Sequence, residues 1–223
     1  FRCGPQVHGP MIDILREARR ILSIEINSAT DNPLVFSNNG KAEVISGGNF
    51  HGQILALVSD NMAICIHEIA SISERRINQV LDPQWSNQKA FLGNNEGLDS
   101  GLMIVQYVAA AVIAELSLLS NPVTTTNISV SMGKEDHVSM GATGAYRTFK
   151  ASKLLSSVIS SELICACQAL DNIPENASSS VMIIQSWLRK YVPILIEDRS
   201  TSKDTDIIAE KLLSSEFTDI FRS

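Results

Sequence analysis

Apolar residues recur along this chain at helical spacing, over stretches long enough to specify several helices. Between residues 7 and 26, Met11, Ile14, Leu15, Ala18, Leu22 and Ile26 are spaced mostly by three and four, which places them along one helix face. Asp31-Asn32-Pro33 closes that stretch, because a residue before proline is held away from helical backbone angles. Leu34-Val35-Phe36 and Glu43-Val44-Ile45 flank the turn signal Asn38-Asn39-Gly40 and predict a small β-hairpin near residues 34–45. The clearest pattern follows, over residues 51–78. Leu55, Val58, Met62, Cys65, Ile69 and Ile72 step by three, four, three, four and three, a seam suited to packing along another helix. Ile54, Leu57, Ile64 and Ile66 widen the apolar surface, and Leu81-Asp82-Pro83 stops the helix.

Residues 84–99 read as an Asn-rich loop ending in Gly93-Asn94-Asn95-Glu96-Gly97, with Ser100 placed to cap a third long helix reaching about Ser120. Ala109, Ala110, Ala111 and Ala114 permit close helix approach there. A Thr/Ser-rich connection over residues 124–131 leads into a fourth long helix, predicted for residues 138–170. Composition changes at Asp171. Residues 172–180 read as a loop or linker, followed by shorter helices over 181–190 and 204–214. The expectation is an all-α bundle of long helices, in two parts: residues 1–171 as the central bundle and 172–223 as a helical extension.

Composition narrows the function classes. A formal charge of −6 and a pI near 5.2, with Arg75-Arg76 the densest basic pair, exclude the usual nucleic-acid and anionic-membrane surfaces. Residues 101–119 are apolar enough to suggest a membrane span, but they include Gln106, Tyr107 and Glu115 and lack flanking basic residues. A helix buried on all sides in a bundle is the preferred reading. The cysteines Cys3, Cys65, Cys165 and Cys167 form no CxxC, and no His-x-x-x-His occurs, so the zinc spacings are absent. Reduced, mostly buried thiols in a cytoplasmic protein are expected. Residues 1–10 have neither the basic region nor the apolar stretch of a signal peptide.

Two segments are not explained by packing alone. Ile45-Ser46-Gly47-Gly48-Asn49-Phe50-His51 sets two glycines beside an amide and an aromatic, which allows a ligand or second chain to come close. Lys134-Glu135-Asp136-His137-Val138-Ser139-Met140-Gly141 crowds two carboxylates and an imidazole before a run of small residues. Together with Phe1-Arg2-Cys3-Gly4-Pro5-Gln6 and Asp31-Asn32-Pro33-Leu34, these segments resemble the aromatic amino-acid ammonia-lyases, closest to the histidine-specific branch. The likeness runs from Phe1 to about Asp171.

The resemblance implies an L-aspartase/fumarase-like helical core and the C-terminal portion of an enzyme of histidine catabolism. Such an enzyme deaminates L-histidine to urocanate and ammonia without redox change. In the family the electrophile is a methylidene-imidazolone formed from an internal Ala-Ser-Gly. That tripeptide is absent, since Ser46-Gly47 follows Ile45 and Ser100-Gly101 follows Asp99. The chain alone is therefore expected to be inactive and to need an N-terminal half, within a homotetramer, with no diffusible cofactor and no metal.

By the same resemblance, Arg2 pairs with the substrate carboxylate, Phe50 packs near the electrophile, Asn49 contacts substrate and Glu135 faces the imidazole. The chemistry suits these residue types: a guanidinium offers two parallel donors to a carboxylate, and a carboxylate accepts an imidazole N–H. Other readings stay open. Arg2 also reads as a solvated terminal charge, Phe50 as a core residue, Asn49 and His51 as loop-positioning groups, and Glu135 with Asp136 as the acidic first turn of a helix. Gly133-Lys134 stands where the family usually has Asn-Gln, so a tyrosine or phenylalanine lyase or aminomutase is an alternative. A non-catalytic helical assembly subunit is another.

Overall fold

The computed structural model describes residues 2–95, 97–173 and 177–221. Phe1, which opens the first motif, lies outside the described residues, as do Glu96 and residues 174–176 of the two predicted loops. The described residues form eight α-helices and one two-stranded antiparallel sheet, the predicted all-α architecture with its hairpin.

Helix α1, Gly4–Glu25, starts three residues before the apolar pattern does, because Pro5 fits the first turn, where an N–H has no helical partner. Strands β1, Leu34–Asn38, and β2, Lys41–Ile45, pair with Val35 opposite Val44. Asn39 and Gly40 connect them with φ of 51° and 75°, the left-handed pair that a tight hairpin turn requires.

Helix α2, Gln53–Leu81, starts after Gly52, whose φ of +73° breaks the helical path. It stops before Asp82-Pro83 as its sequence predicts. There the Asp82 carboxylate accepts from the Gln84 N–H at 2.9 Å and caps α3, Pro83–Ser86. Of the predicted seam, Val58 and Cys65 are buried and Leu55, Met62, Ile69 and Ile72 half-buried, but the least accessible line runs beside it. Ala56, Ala63, Ala70, Ser73, Ile77 and Leu81 are nearly inaccessible, whereas Ile54, Leu57 and Ile64 are exposed. The reason is steric: small residues let another backbone approach, and apolar bulk alone does not decide which face goes inward.

Helix α4 is Met103–Leu119, so Ser100 is not its N-cap. The Ser100 and Gly101 N–H groups instead donate to the Asp198 carboxylate at 2.7 and 2.9 Å. The predicted loop before it also carries α3 and a single turn at Ala90–Leu92. Helix α5, Gly141–Asp171, begins three residues later than its pattern suggests, because Met140 has φ of +59°. Glu135 and Asp136 therefore lie outside its first turn. Helices α6, Ser179–Leu188, and α7, Ser202–Leu212, match the two predicted shorter helices; α8, Ser215–Asp219, has too little periodicity to be seen in sequence.

The chain divides into two compact units, residues 1–65 with 119–150 and residues 66–118 with 151–223. In the first, Gly144 of α5 meets α2 so closely that a Cβ there would lie 3.1 Å from the Ser59 Cβ. The Thr148 hydroxyl also donates to the Ser59 carbonyl at 2.8 Å. In the second, Glu162 accepts from the Ser73 hydroxyl at 2.5 Å and from the Arg76 guanidinium at 2.8 Å, which raises the Arg76 pKa. The buried Gln168 amide exchanges two hydrogen bonds with the Leu195 backbone, at 2.9 and 3.0 Å. Trp187 packs there against Tyr191 and Phe217 with ring centroids 5.9 and 5.0 Å away. Helices α2 and α5 are long and apolar enough to cross a membrane by length and composition, yet each buries several polar side chains, including Asp60 and Gln168.

Candidate functional site

Residues 46–52 form a loop that delivers Phe50 and His51 to the start of α2. The Asn32 side-chain oxygen accepts from the Ser46 hydroxyl at 3.0 Å and the Gly47 N–H at 3.2 Å, which ties this loop to the turn before β1. A Cβ on Gly47 or Gly48 would meet no atom within 4 Å, so nothing among the described residues requires their smallness.

The opposite wall comes from residues 128–143. Val130 and Glu135 form an antiparallel bridge, with N–H to carbonyl distances of 2.9 and 3.4 Å. Between them Ser131, Met132 and Gly133 all take positive φ, at 53°, 55° and 85°. Left-handed backbone at two successive non-glycine residues costs energy, and here it folds the segment back sharply enough to present Glu135. Met132 at the tip is 99% exposed.

Phe50 and Glu135 line one mostly apolar cavity of about 500 Å³, together with His51, Ile128, His137 and Met140. Among the described residues the Glu135 carboxylate makes no hydrogen bond or ion pair, which leaves both oxygens available to a ligand N–H. The His51 Nε2 lies 2.9 Å from the His137 carbonyl oxygen. A carbonyl only accepts, so Nε2 carries the proton and donates. The two imidazole rings are 5.6 Å apart and tilted by 42°.

Asn49 is directed elsewhere. Its Nδ2 donates to the Ala29 carbonyl at 2.9 Å, and with Phe50, Leu22, Glu25 and Ile26 it lines a second cavity of about 500 Å³. Phe50 thus borders both cavities. Arg2 is exposed and precedes α1, while Leu22 and Ile26 at the far end of that helix border the Phe50 side. A helix of 22 residues rises about 33 Å, so Arg2 does not share the cavity of its own copy. The fold brings together Phe50 and Glu135, sets Asn49 beside them, and leaves Arg2 apart.

Three supporting residues were not foreseen. Asp60, only 6% exposed, accepts from the N–H groups of Val123 and Thr124 at 3.0 and 2.9 Å and from the Thr124 hydroxyl at 2.7 Å. A carboxylate inside an otherwise apolar helix pattern was the available signal. Asn127 bonds the backbone of residues 136 and 138, and His137 supplies the carbonyl for His51. Asn127 has no sequence signal, and His137 stood out only as a member of the Lys134–Gly141 segment, because each contact depends on a turn that periodicity does not reveal. No group of three or more His, Cys, Asp or Glu residues able to hold a metal occurs among the described residues.

The electrophile implied by the resemblance has no precursor here. Ser100-Gly101, one of the two Ser-Gly pairs, has its N–H groups bound by Asp198, and a Cβ on Gly101 would lie 2.4 Å from the Phe91 carbonyl oxygen. The residues present do not form that group.

The described residues are mostly long helices, and the apolar cavity of the first unit carries the Glu135 carboxylate, unpaired among the described residues. The family described as aromatic amino acid lyase matches residues 1–190, and the chain belongs to that family. It is 41% identical over 224 residues to the histidine ammonia-lyase of Myxococcus xanthus, covering all of this chain and 44% of that protein. The solved histidine ammonia-lyase of Trypanosoma cruzi superposes with a TM-score of 0.93 at 39% identity, covering 99% of this chain and 44% of that one. The phenylalanine aminomutase of Pantoea agglomerans superposes at 0.90 with 34% identity, covering 96% and 42%. The chain thus spans less than half the length of the relatives it matches.

Proposed function

We propose that this chain forms part of a histidine ammonia-lyase, which removes ammonia from L-histidine without redox change to give urocanate. The observation that carries this reading is the unpaired Glu135 carboxylate facing an apolar cavity that also holds Phe50. An imidazole side chain presents an N–H for that carboxylate, whereas a phenyl ring would leave a partly desolvated charge unpaired. Phe50 packs against the substrate, and Asn49 holds the Phe50 loop through the Ala29 carbonyl while lying within reach of a ligand in the second cavity. Arg2 binds the substrate carboxylate of a different copy, since its own cavity is a helix length away. The enzyme is accordingly a homo-oligomer, tetrameric by the family resemblance, and its free, mostly buried thiols suit a cytoplasmic protein. The electrophile comes from an Ala-Ser-Gly in the N-terminal half, without diffusible cofactor, metal, nucleic acid or membrane, and this chain alone is inactive.

The test is urocanate formation from L-histidine by the chain with and without a co-expressed N-terminal half carrying Ala-Ser-Gly. Activity is expected only in the combined sample. Arg2→Ala should lower it by about 100-fold, as expected for losing a desolvated charge pair, and Glu135→Gln should lower it as well. Full activity in both variants would sink the assignment. A second reading, a phenylalanine or tyrosine lyase or aminomutase, draws on the aminomutase superposition and on Gly133-Lys134 before Glu135. Rates with the three amino acids side by side separate the two, and inert histidine beside fast tyrosine would overturn the first.

A further inference from the structure

Four successive residues, Glu135 to Val138, have their backbone fixed by groups from elsewhere. Val130 holds Glu135 on both its N–H and its carbonyl. The Asn127 Oδ1 accepts from the Val138 N–H at 3.0 Å, and its Nδ2 makes a longer contact of 3.4 Å to the Asp136 carbonyl. His51, at the start of α2, donates to the His137 carbonyl at 2.9 Å. The Glu135 side chain is unpaired among the described residues, so nothing else orients it.

We propose that Asn127, with His51, is a positioning residue for Glu135: the two side chains clamp the backbone just beyond Glu135 and thereby fix where its carboxylate meets a substrate imidazole. This inference rests on the histidine reading above. The Asn127 amide supplies one acceptor and one donor to two residues that flank His137, a bracket that hydrophobic packing does not reproduce. Displacing a substrate-binding group by about 1 Å can cost about 100-fold in rate, so the clamp matters without touching substrate.

The experiment uses the complete enzyme containing this chain. Asn127→Ala should lower kcat/KM for L-histidine roughly ten- to a hundred-fold. Asn127→Asp keeps the acceptor for the Val138 N–H but turns a second oxygen toward the Asp136 carbonyl, so it should recover part of that loss and no more. In a Glu135→Gln background the same Asn127→Ala change should have little further effect, because the group it positions is already altered. Equal losses in both backgrounds would mean a purely structural role and overturn the proposal. Amide hydrogen exchange supplies a readout independent of turnover: the Val138 N–H should exchange faster in Asn127→Ala and stay protected in Asn127→Asp. Unchanged exchange would also overturn it. If the enzyme proves inert toward histidine while Val138 exchange responds as stated, the substrate reading fails and the clamp on this segment stands.

Discussion

Asp60 offers the most direct test of how the fold holds the candidate site. The residue is 6% exposed, and its carboxylate accepts three hydrogen bonds, from the N–H groups of Val123 and Thr124 and from the Thr124 hydroxyl. Val123 and Thr124 begin the stretch that runs through Asn127 to Glu135, so this one side chain anchors the wall of the cavity to α2. Hydrogen bonds to a charged group contribute about 1.5–3 kcal/mol each, less than additively when they share a carboxylate. Asp60→Ala also leaves the Val123 N–H without its partner, in a residue that is 7% exposed. The expected cost is about 3–5 kcal/mol, a large share of the roughly 5–15 kcal/mol that stabilises a typical domain. Asp60→Asn keeps one acceptor but turns an NH2 toward a donor, so it should cost about 2–3 kcal/mol. Thr124→Val removes only the hydroxyl bond and should cost about 1 kcal/mol, or somewhat more because its acceptor is charged. Guanidinium unfolding followed by circular dichroism gives the midpoints and slopes, and amide exchange at Thr124 localises the effect. A cost below about 1 kcal/mol for Asp60→Ala would refute the reasoning.

Three further outcomes are expected. Gly101 has φ of +54° and sits where a Cβ would lie 2.4 Å from the Phe91 carbonyl oxygen and 2.9 Å from the Gly93 nitrogen. Gly101→Ala should therefore lower stability by about 2 kcal/mol or more in a thermal melt, and an unchanged melt would contradict that geometry. A thiol reagent near pH 8 should label Cys3 rapidly and the three buried cysteines only on unfolding. Burial holds the Cys167 thiol up to about 11 and Cys165 well above its ordinary value, so fast labelling of two or more native thiols would contradict the fold. Hydrogen bonds from Lys211, Tyr191 and Trp187 hold the Glu216 carboxyl down to about 2, against an ordinary 4.5. A depressed carboxylate contributes its full stability above pH 4.5 and loses it as pH falls toward 2. Glu216→Gln should flatten the acid limb of stability across that window, and identical limbs in both proteins would argue against the cluster.

The local parts of this molecule were legible in its sequence. Apolar spacing and the breaks at Asp31-Asn32-Pro33 and Leu81-Asp82-Pro83 located the long helices, and Asn39-Gly40 located the hairpin. These features arise from backbone preferences within a few residues, which a sequence displays directly. The motifs also carried the family resemblance, because Phe50 and Glu135 sit in segments whose residue types packing does not demand. Helix boundaries were less legible. Ser100 looked like a cap but gives its N–H to Asp198, and α5 waits until Gly141 because Met140 turns left-handed.

Only the tertiary structure decided which surface of α2 is most buried, since that depends on how closely Gly144 comes to Ser59. It alone joined Phe50 and Glu135 in one cavity, left Arg2 a helix length away, and turned Asn127 and His51 onto the Glu135 segment. His51 and the His137 carbonyl are 86 positions apart, and Asp60 and Val123 are 63 apart. Contacts at such separations are selected by the packing of whole helices, so no periodicity within either segment encodes them.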